Sequence, residues 1–138
     1  MVPFSKHLMM HYIRSAQDIY AMKQLRLMIV DNESKARVGV IDLFDFEPLH
    51  QRAGVGILID PAAQKKGFGF AALSLLEVYA LNHIGIRNLY CSIHADNLSS
   101  LALFEKAGYQ KVGERKSWYN VAGTWVDELL FQKLLINK

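Results

Sequence analysis

"QKKGFGFAA", residues 64–72, places two glycines one residue apart where a helix is due to begin. Glycine is among the poorest helix formers, so Gly67 and Gly69 need a reason other than propensity. The first turn of a helix carries unpaired N–H groups and the positive end of the dipole, and residues without Cβ let an anion approach that backbone. Lys65 and Lys66 add positive charge at the same place. The stretch lacks the Gly-Lys-Ser/Thr of a nucleotide P-loop and the third glycine of a dinucleotide fingerprint, so neither ATP nor NAD is favoured.

Upstream lies "AGVGILID", residues 53–60, apolar on both faces and therefore a central strand. Gly54 and Gly56 within it signal a bulge or a close approach by a ligand. Before it, "QLRLMIV" (24–30) and "RVGVIDLFDF" (37–46) form a hairpin through the turn "DNES". Ser5 caps an opening helix over 5–16, with Leu8, Met9, Tyr12 and Ile13 on one face. Downstream, 66–83 is a largely buried helix whose polar residues Ser74 and Glu77 make one narrow stripe. "NLYCSIHA" (88–95) is the next strand, and Asp96 or Asn97 caps a short helix that ends at Ala107 with Gly108 beyond it. Two long strands, 109–119 and 125–135, are joined through "NVAG". The order α-β-β-β-α-β-α-β-β gives an α/β (α+β) three-layer domain with a mixed, mostly antiparallel sheet, parallel wherever a helix crosses over.

The 138 residues suit one domain with a sizeable core. Apolar residues make up 51% and charged residues 21%, without repeats or biased segments, which excludes a disordered chain or a solenoid. The net charge of +3 comes from scattered Lys and Arg, fitting a basic cleft for an anionic ligand. Basic and aromatic residues do not interleave as in an RNA-binding sheet, so no nucleic acid is expected. The lone Cys91 rules out an intrachain disulfide and has no metal-ligand spacing, so no metal is expected. No apolar run reaches the length of a membrane span and no signal peptide opens the chain, so we expect a cytoplasmic protein without a membrane partner.

With three motifs in order, the chain resembles the GNAT superfamily of acetyl-CoA-dependent N-acetyltransferases. Residues 64–69 match its Q/R-x-x-G-x-G/A signature, "GVGILID" is similar to its fourth strand, and "HADNLSSLALFEKAGYQKVG" is similar to its N-x-x-S-x-x-L-(Y/F)-E-K-x-G-(F/Y) segment. Within the family, the chain most resembles the spermidine and ribosomal-protein N-terminal acetyltransferases. The resemblance implies a three-layer α-β-α fold whose fourth and fifth strands splay to admit the pantetheine arm of coenzyme A. It places Ile57, Leu58 and Ile59 along that arm, and Gln64, Lys65, Lys66, Gly67, Phe68, Gly69 and Phe70 around the pyrophosphate. Asn97, Ser100, Phe104 and Lys106 would line the other side. Acetyl-CoA would be the co-substrate, and the acceptor a primary amine of a small, polyamine-like molecule or a peptide N-terminus.

Acetyl transfer needs a neutral amine, a donor for the oxyanion and an acid for the leaving thiolate. The resemblance implies a backbone donor at Leu58. Many relatives carry a tyrosine where this chain has Phe104, which has no proton to donate. Tyr109, Ser99 and Ser100 are the candidate acids in its place. Relatives that acetylate spermidine have a glutamate aligned with Gly54, so Asp42, Asp45 and His50 become the candidates for holding the acceptor, with His94 a further base. Asp42 and Asp45 reach one cleft only where the strand bulges between them. Trp118, Tyr119 and Trp125 flank the last hairpin and suit a packed interface.

Members of the family begin with a strand and a helix before the segment that opens here, so we read 1–138 as a single, N-terminally shortened acetyltransferase domain. An uncovered sheet edge is the expected consequence, and with it a homo-oligomer.

Overall fold

The computed structural model describes residues 8–12 and 19–136. Its elements are β1 (Leu8–Tyr12), α1 (Ile19–Met22), β2 (Leu25–Asp31), β3 (Arg37–Glu47), β4 (Arg52–Ile59), α2 (Phe68–Tyr79), β5 (Asn88–His94), α3 (Leu98–Lys106), β6 (Gln110–Val121) and β7 (Thr124–Leu134). One seven-stranded sheet runs β1-β2-β3-β4-β5-β7-β6. All its pairings are antiparallel except β4 with β5, the two strands joined by the α2 crossover.

Alternation along the strands sorts the sheet into two faces. Ile29, Ile41, Leu43, Val55 and Leu89 point to one of them and are almost wholly enclosed with Leu73 and Leu76 of α2. Burial of each such side chain stabilises by about 1.5–3 kcal/mol, so this layer holds the fold. Lys133, which pairs with Leu89 across β5 and β7, reaches Glu77 Oε1 of α2 at 2.8 Å and the Ala107 carbonyl behind α3 at 2.6 Å. Both long helices therefore cover the same face. The other face carries Asp42, Phe44, Gly54, Gly56, Tyr90, Ser92, His94 and Glu128, and is more polar.

Several sequence expectations change here. Residues 8–12 are a strand paired with β2, not part of a helix, and the rest of the expected helix over 5–16 lies outside the described residues. Helical spacing misled because the same five residues, "LMMHY", also satisfy a strand, and pairing with β2 over Leu27 to Asp31 decides between them. That pairing makes β1 the outermost strand on this side of the sheet. Glu77 does not lie on a solvated stripe but turns inward to Lys133. The connection "NVAG" contracts to a two-residue turn at Ala122 and Gly123, both with positive φ, in keeping with the twist of the strands it joins. Helix α2 is followed by a single π-helical turn, Ala80–Ile84, which ends at Gly85.

Candidate functional site

The parallel pairing of β4 with β5 lasts for three residue pairs, Arg52 with Asn88, Ala53 with Leu89 and Gly54 with Tyr90. Beyond Gly54 the strands part, while β3 and β7 remain paired to their outer edges. The fork leaves backbone polar groups of β4 facing a gap. The Asp60 amide donates to the Val38 carbonyl at 2.8 Å, continuing the register of β3 and β4. Hydrogen-bonded pairs alternate along an antiparallel ladder, so Leu58, Gly56 and Gly54 also turn their amides to β3, whereas Ile57 and Ile59 turn theirs to the gap. The geometry thus moves the expected backbone donor from Leu58 to Ile57. Leu58 instead exposes its side chain, 66% accessible, on the open face. The Ile59 carbonyl is already taken by Gln64 Nε2 at 3.1 Å, which gives Gln64 a structural part in closing the loop.

The two glycines of the opening stretch do different things. Gly67 is the N-cap of α2 with φ 87 and ψ 0, and nothing lies within 4 Å of where a Cβ would be. Its left-handed backbone and the open space in front keep the first amides of α2 approachable. Lys65, with φ 63, and Lys66 are exposed on the same loop. At Gly69, by contrast, a Cβ would fall 3.1 Å from Leu103 Cδ2 and 3.7 Å from Ile59 Cγ1. Gly69 lets α2 pack closely against α3 and β4, so only Gly67 has the geometry expected of an anion site. Phe68 is half-buried, and Phe70 lies under Lys106, whose Nζ is 4.7 Å from the ring centroid, linking the start of α2 to the end of α3.

At the start of α3, Asn97 Oδ1 accepts from the Ser100 amide and from the Ser99 hydroxyl, both at 3.2 Å. Asn97 and Ser99 therefore serve the cap, and the Ser99 proton is directed to Asn97. Phe104 is buried, edge-on to Tyr109 with ring centroids 4.9 Å apart. Tyr109 does not take over the acid's place. Its hydroxyl is enclosed beside Glu77, without a well-aligned hydrogen bond for either that hydroxyl or Glu77 Oε2. Burial, and then the Glu77 carboxylate, push its pKa far above the ordinary phenol value. Cys91, beneath the same layer, has its thiol pushed up to about 12 by burial, which makes it inert.

On the open face, the ring of Phe44 covers Gly54, where relatives that acetylate spermidine were expected to carry a glutamate. Gly54 is thus approached by a side chain from β3. Phe44 stands edge-on to Tyr90, centroids 6.4 Å apart. Asp42 is held by Arg26 through two bonds of 2.7 and 2.9 Å. β3 bulges between Phe44 and Glu47, with Asp45 at φ 50. Asp45 is exposed on this bulge, and the Tyr90 phenol is raised first by burial and then by the Asp45 carboxylate, with Arg52 opposing. His50 sits exposed in the turn before β4, off the closed end of the fork.

Sequence reasoning missed the far wall of this face. Glu128, 5% accessible, accepts from Arg115 Nη1 at 2.6 Å and from the Tyr119 hydroxyl at 2.7 Å. Burial pushes its carboxyl up, and the bonds from Tyr119 and Arg115 outweigh this and hold it below the usual range. His94 stacks on Tyr119 with centroids 3.7 Å apart. Phe44, Tyr90, Ser92, Arg115, Leu130 and Gln132 line a cavity of about 350 Å³ beside the fork. The period-two alternation of "WVDELLF" could have shown Glu128 on the face opposite Leu129 and Phe131, but not its partners.

A parallel strand pair thus forks beneath a glycine-capped helix start, with amides along one prong turned to the gap. A family profile described as "Acetyltransferase (GNAT) domain" matches residues 3–110, and the chain belongs to that family. It is 22% identical over 102 residues to the spermidine N(1)-acetyltransferase of Vibrio cholerae, covering 74% of this chain and 59% of the relative. It is 33% identical over 88 residues to the N-alpha-acetyltransferase RimI of Mycobacterium tuberculosis, covering 64% of this chain and 49% of the relative. The chain thus spans about half to three-fifths of these relatives' length. The crystal structure of the Vibrio cholerae spermidine N-acetyltransferase in complex with CoA and spermine superposes with a TM-score of 0.78 at 20% identity, over 96% of this chain and 72% of that one. The GNAT fold is therefore shared. Among the described residues no helix is long and apolar enough to cross a membrane, and no cluster of side chains could hold a metal ion.

Proposed function

We propose that this chain transfers an acetyl group from acetyl-CoA to a primary amine by direct attack in a ternary complex. The observation that carries the reading is the fork: the Ile57 and Ile59 amides face the gap, and the gap leads to the open backbone at Gly67. Coenzyme A fits the residues present. The Ile59 N–H would pair with the pantetheine arm, and Gly67, Lys65 and Lys66 would hold the pyrophosphate. Bound there, acetyl-CoA supplies the thioester carbon that the amine attacks.

This chain's own contribution is to place and polarise. The Ile57 N–H donates to the developing oxyanion, and holding two reactants in line is worth about 7 kcal/mol or more in the best cases. Asp45, on the bulge of β3, attracts the incoming ammonium. With Phe104 at the acid position, the departing thiolate takes its proton from the attacking nitrogen, relayed by water. The acceptor is a small amine or a peptide α-amine, as the names of the relatives suggest, and exposed Trp118 and Trp125 support a homo-oligomer in the same reading.

Release of free thiol from acetyl-CoA across a panel of amines tests the proposal. Amine-dependent, saturable release is expected. A second reading, favoured by buried Phe104, is a domain that binds acetyl-CoA without efficient turnover, and calorimetric binding with no thiol release on any amine would select it.

A further inference from the structure

If acetyl transfer to an amine is the reaction, as proposed, the cavity beside the fork bears on which amine is taken. Its position is the relevant one. Tyr90, in its wall, pairs with Gly54 at the point where β4 and β5 part, and Phe44 lies over that same glycine. The helices and the Gly67 loop occupy the opposite face, so an amine reaches a thioester in the gap from the cavity side. About 350 Å³ is at the small end of ligand sites, which run from ~300 to ~1,000 Å³.

The lining chemistry is selective. Phe44, Tyr90 and Leu130 supply apolar and aromatic surface, Ser92 and Gln132 neutral polar groups, and Arg115 the charged side chain of the wall, which is positive. Glu128 behind Arg115 has one oxygen committed to Arg115 and the other to Tyr119. Asp42 is bound by Arg26, and Glu47, opposite Arg52 on the same face, accepts from the Leu49 amide at 3.2 Å. Asp45, exposed on the β3 bulge next to Phe44 in the chain, is a carboxylate at the rim that can meet an ammonium. One positive charge is thus matched at the rim. A second would be drawn into an apolar cavity beside a guanidinium, where it loses water without gaining a counter-charge.

We infer that the acceptor is a primary monoamine whose adjacent carbons carry an apolar group of up to aromatic size, seated between Phe44, Tyr90 and Leu130, and that polyamines are discriminated against. The class includes small aralkylamines and peptide N-termini with an apolar first residue. Its amine nitrogen attacks the acetyl carbon, the C–S bond breaks, one N–H proton goes to solvent before attack and a second goes to the departing thiolate, leaving an amide and free coenzyme A.

The test compares kcat/KM of the full chain on phenethylamine, a Leu-Ala amide dipeptide, putrescine and spermidine. The two apolar amines are expected to exceed spermidine by about 10-fold or more, the size of a well-filled apolar contact, and their relative values separate a small-molecule from a peptide source. Gln132→Glu places a negative charge in the cavity wall, where Asn88, now bonded to Gln132 at 2.8 Å, can turn its amide donor to it. That variant is expected to raise spermidine relative to phenethylamine by about 10-fold. Preference of the unaltered chain for spermidine or putrescine overturns the inference while leaving acetyl transfer intact. Failure to turn over any of the four amines overturns both together.

Discussion

Phe44 of β3 lies so closely over Gly54 of β4 that a Cβ on the glycine would fall 2.5 Å from the ring's Cζ and 2.8 Å from its Cδ1. The two residues are register partners, and the bulge just beyond Phe44 lets its ring settle onto the neighbouring strand. Gly54→Ala is therefore expected to destabilise by about 1–3 kcal/mol, the usual cost of overpacking. In urea titrations the double variant Gly54→Ala with Phe44→Ala should lose less than the sum of the single losses, because truncating the ring makes room for the added methyl. Additive losses would mean that the ring does not occupy this place.

At Gly67 the expected effects concern binding. Gly67→Glu obstructs the first amides of α2 with a negative charge and should abolish calorimetric binding of acetyl-CoA, while its circular dichroism remains that of the folded chain. Gly67→Asn, which tolerates positive φ, should retain binding within about 10-fold. Equal affinities for both variants would contradict an anion site at this position.

Lys133 links α2, the end of α3 and β7 through one ammonium group. Lys133→Met leaves the Glu77 carboxylate and the Ala107 carbonyl without that donor and is expected to cost about 1–3 kcal/mol in a chemical melt. Tyr109→Phe removes a hydroxyl that makes no well-aligned bond, so stability should be unchanged or slightly higher and turnover within twofold of the parent. A large loss of turnover in Tyr109→Phe would restore Tyr109 as the acid.

Glu128 predicts a pH dependence of stability. Its folded pKa is depressed, so its contribution is fully present above the unfolded value and is lost as pH falls through the folded one. Glu128→Gln should thus be less stable than the parent near neutrality, and the gap should narrow as pH falls below the ordinary glutamate value of about 4.3 toward the lower folded one. Urea midpoints at stepped pH measure it, and a gap independent of pH would show that the bonds from Tyr119 and Arg115 do not depend on the charge.

Motif spacing made the cofactor side of the site legible. Residues 64–69, the apolar strand before them and the segment from His94 to Gly113 each carry local requirements, such as a positive φ at Gly67 or a cap at Asn97, and local requirements leave a trace in residue type. Residues 8–12 misled because an amphipathic five-residue segment satisfies helix and strand alike, and only its pairing with β2 selects one. Gly69 looked like its neighbour Gly67, yet its role comes from Leu103 on another helix.

The chain's own order of residues determined strands β2 to β7, the crossover, the glycine cap of α2 and the family to which they belong. Tertiary structure alone decided that the Ile57 amide rather than that of Leu58 faces the gap, that Phe44 lies over Gly54, and that Glu128, Arg115, Tyr119 and His94 meet on the open face. The physical reason is that these relations are made across strands far apart in the chain. Their register and bulges are set by pairing and packing, of which no single stretch of sequence holds more than one side.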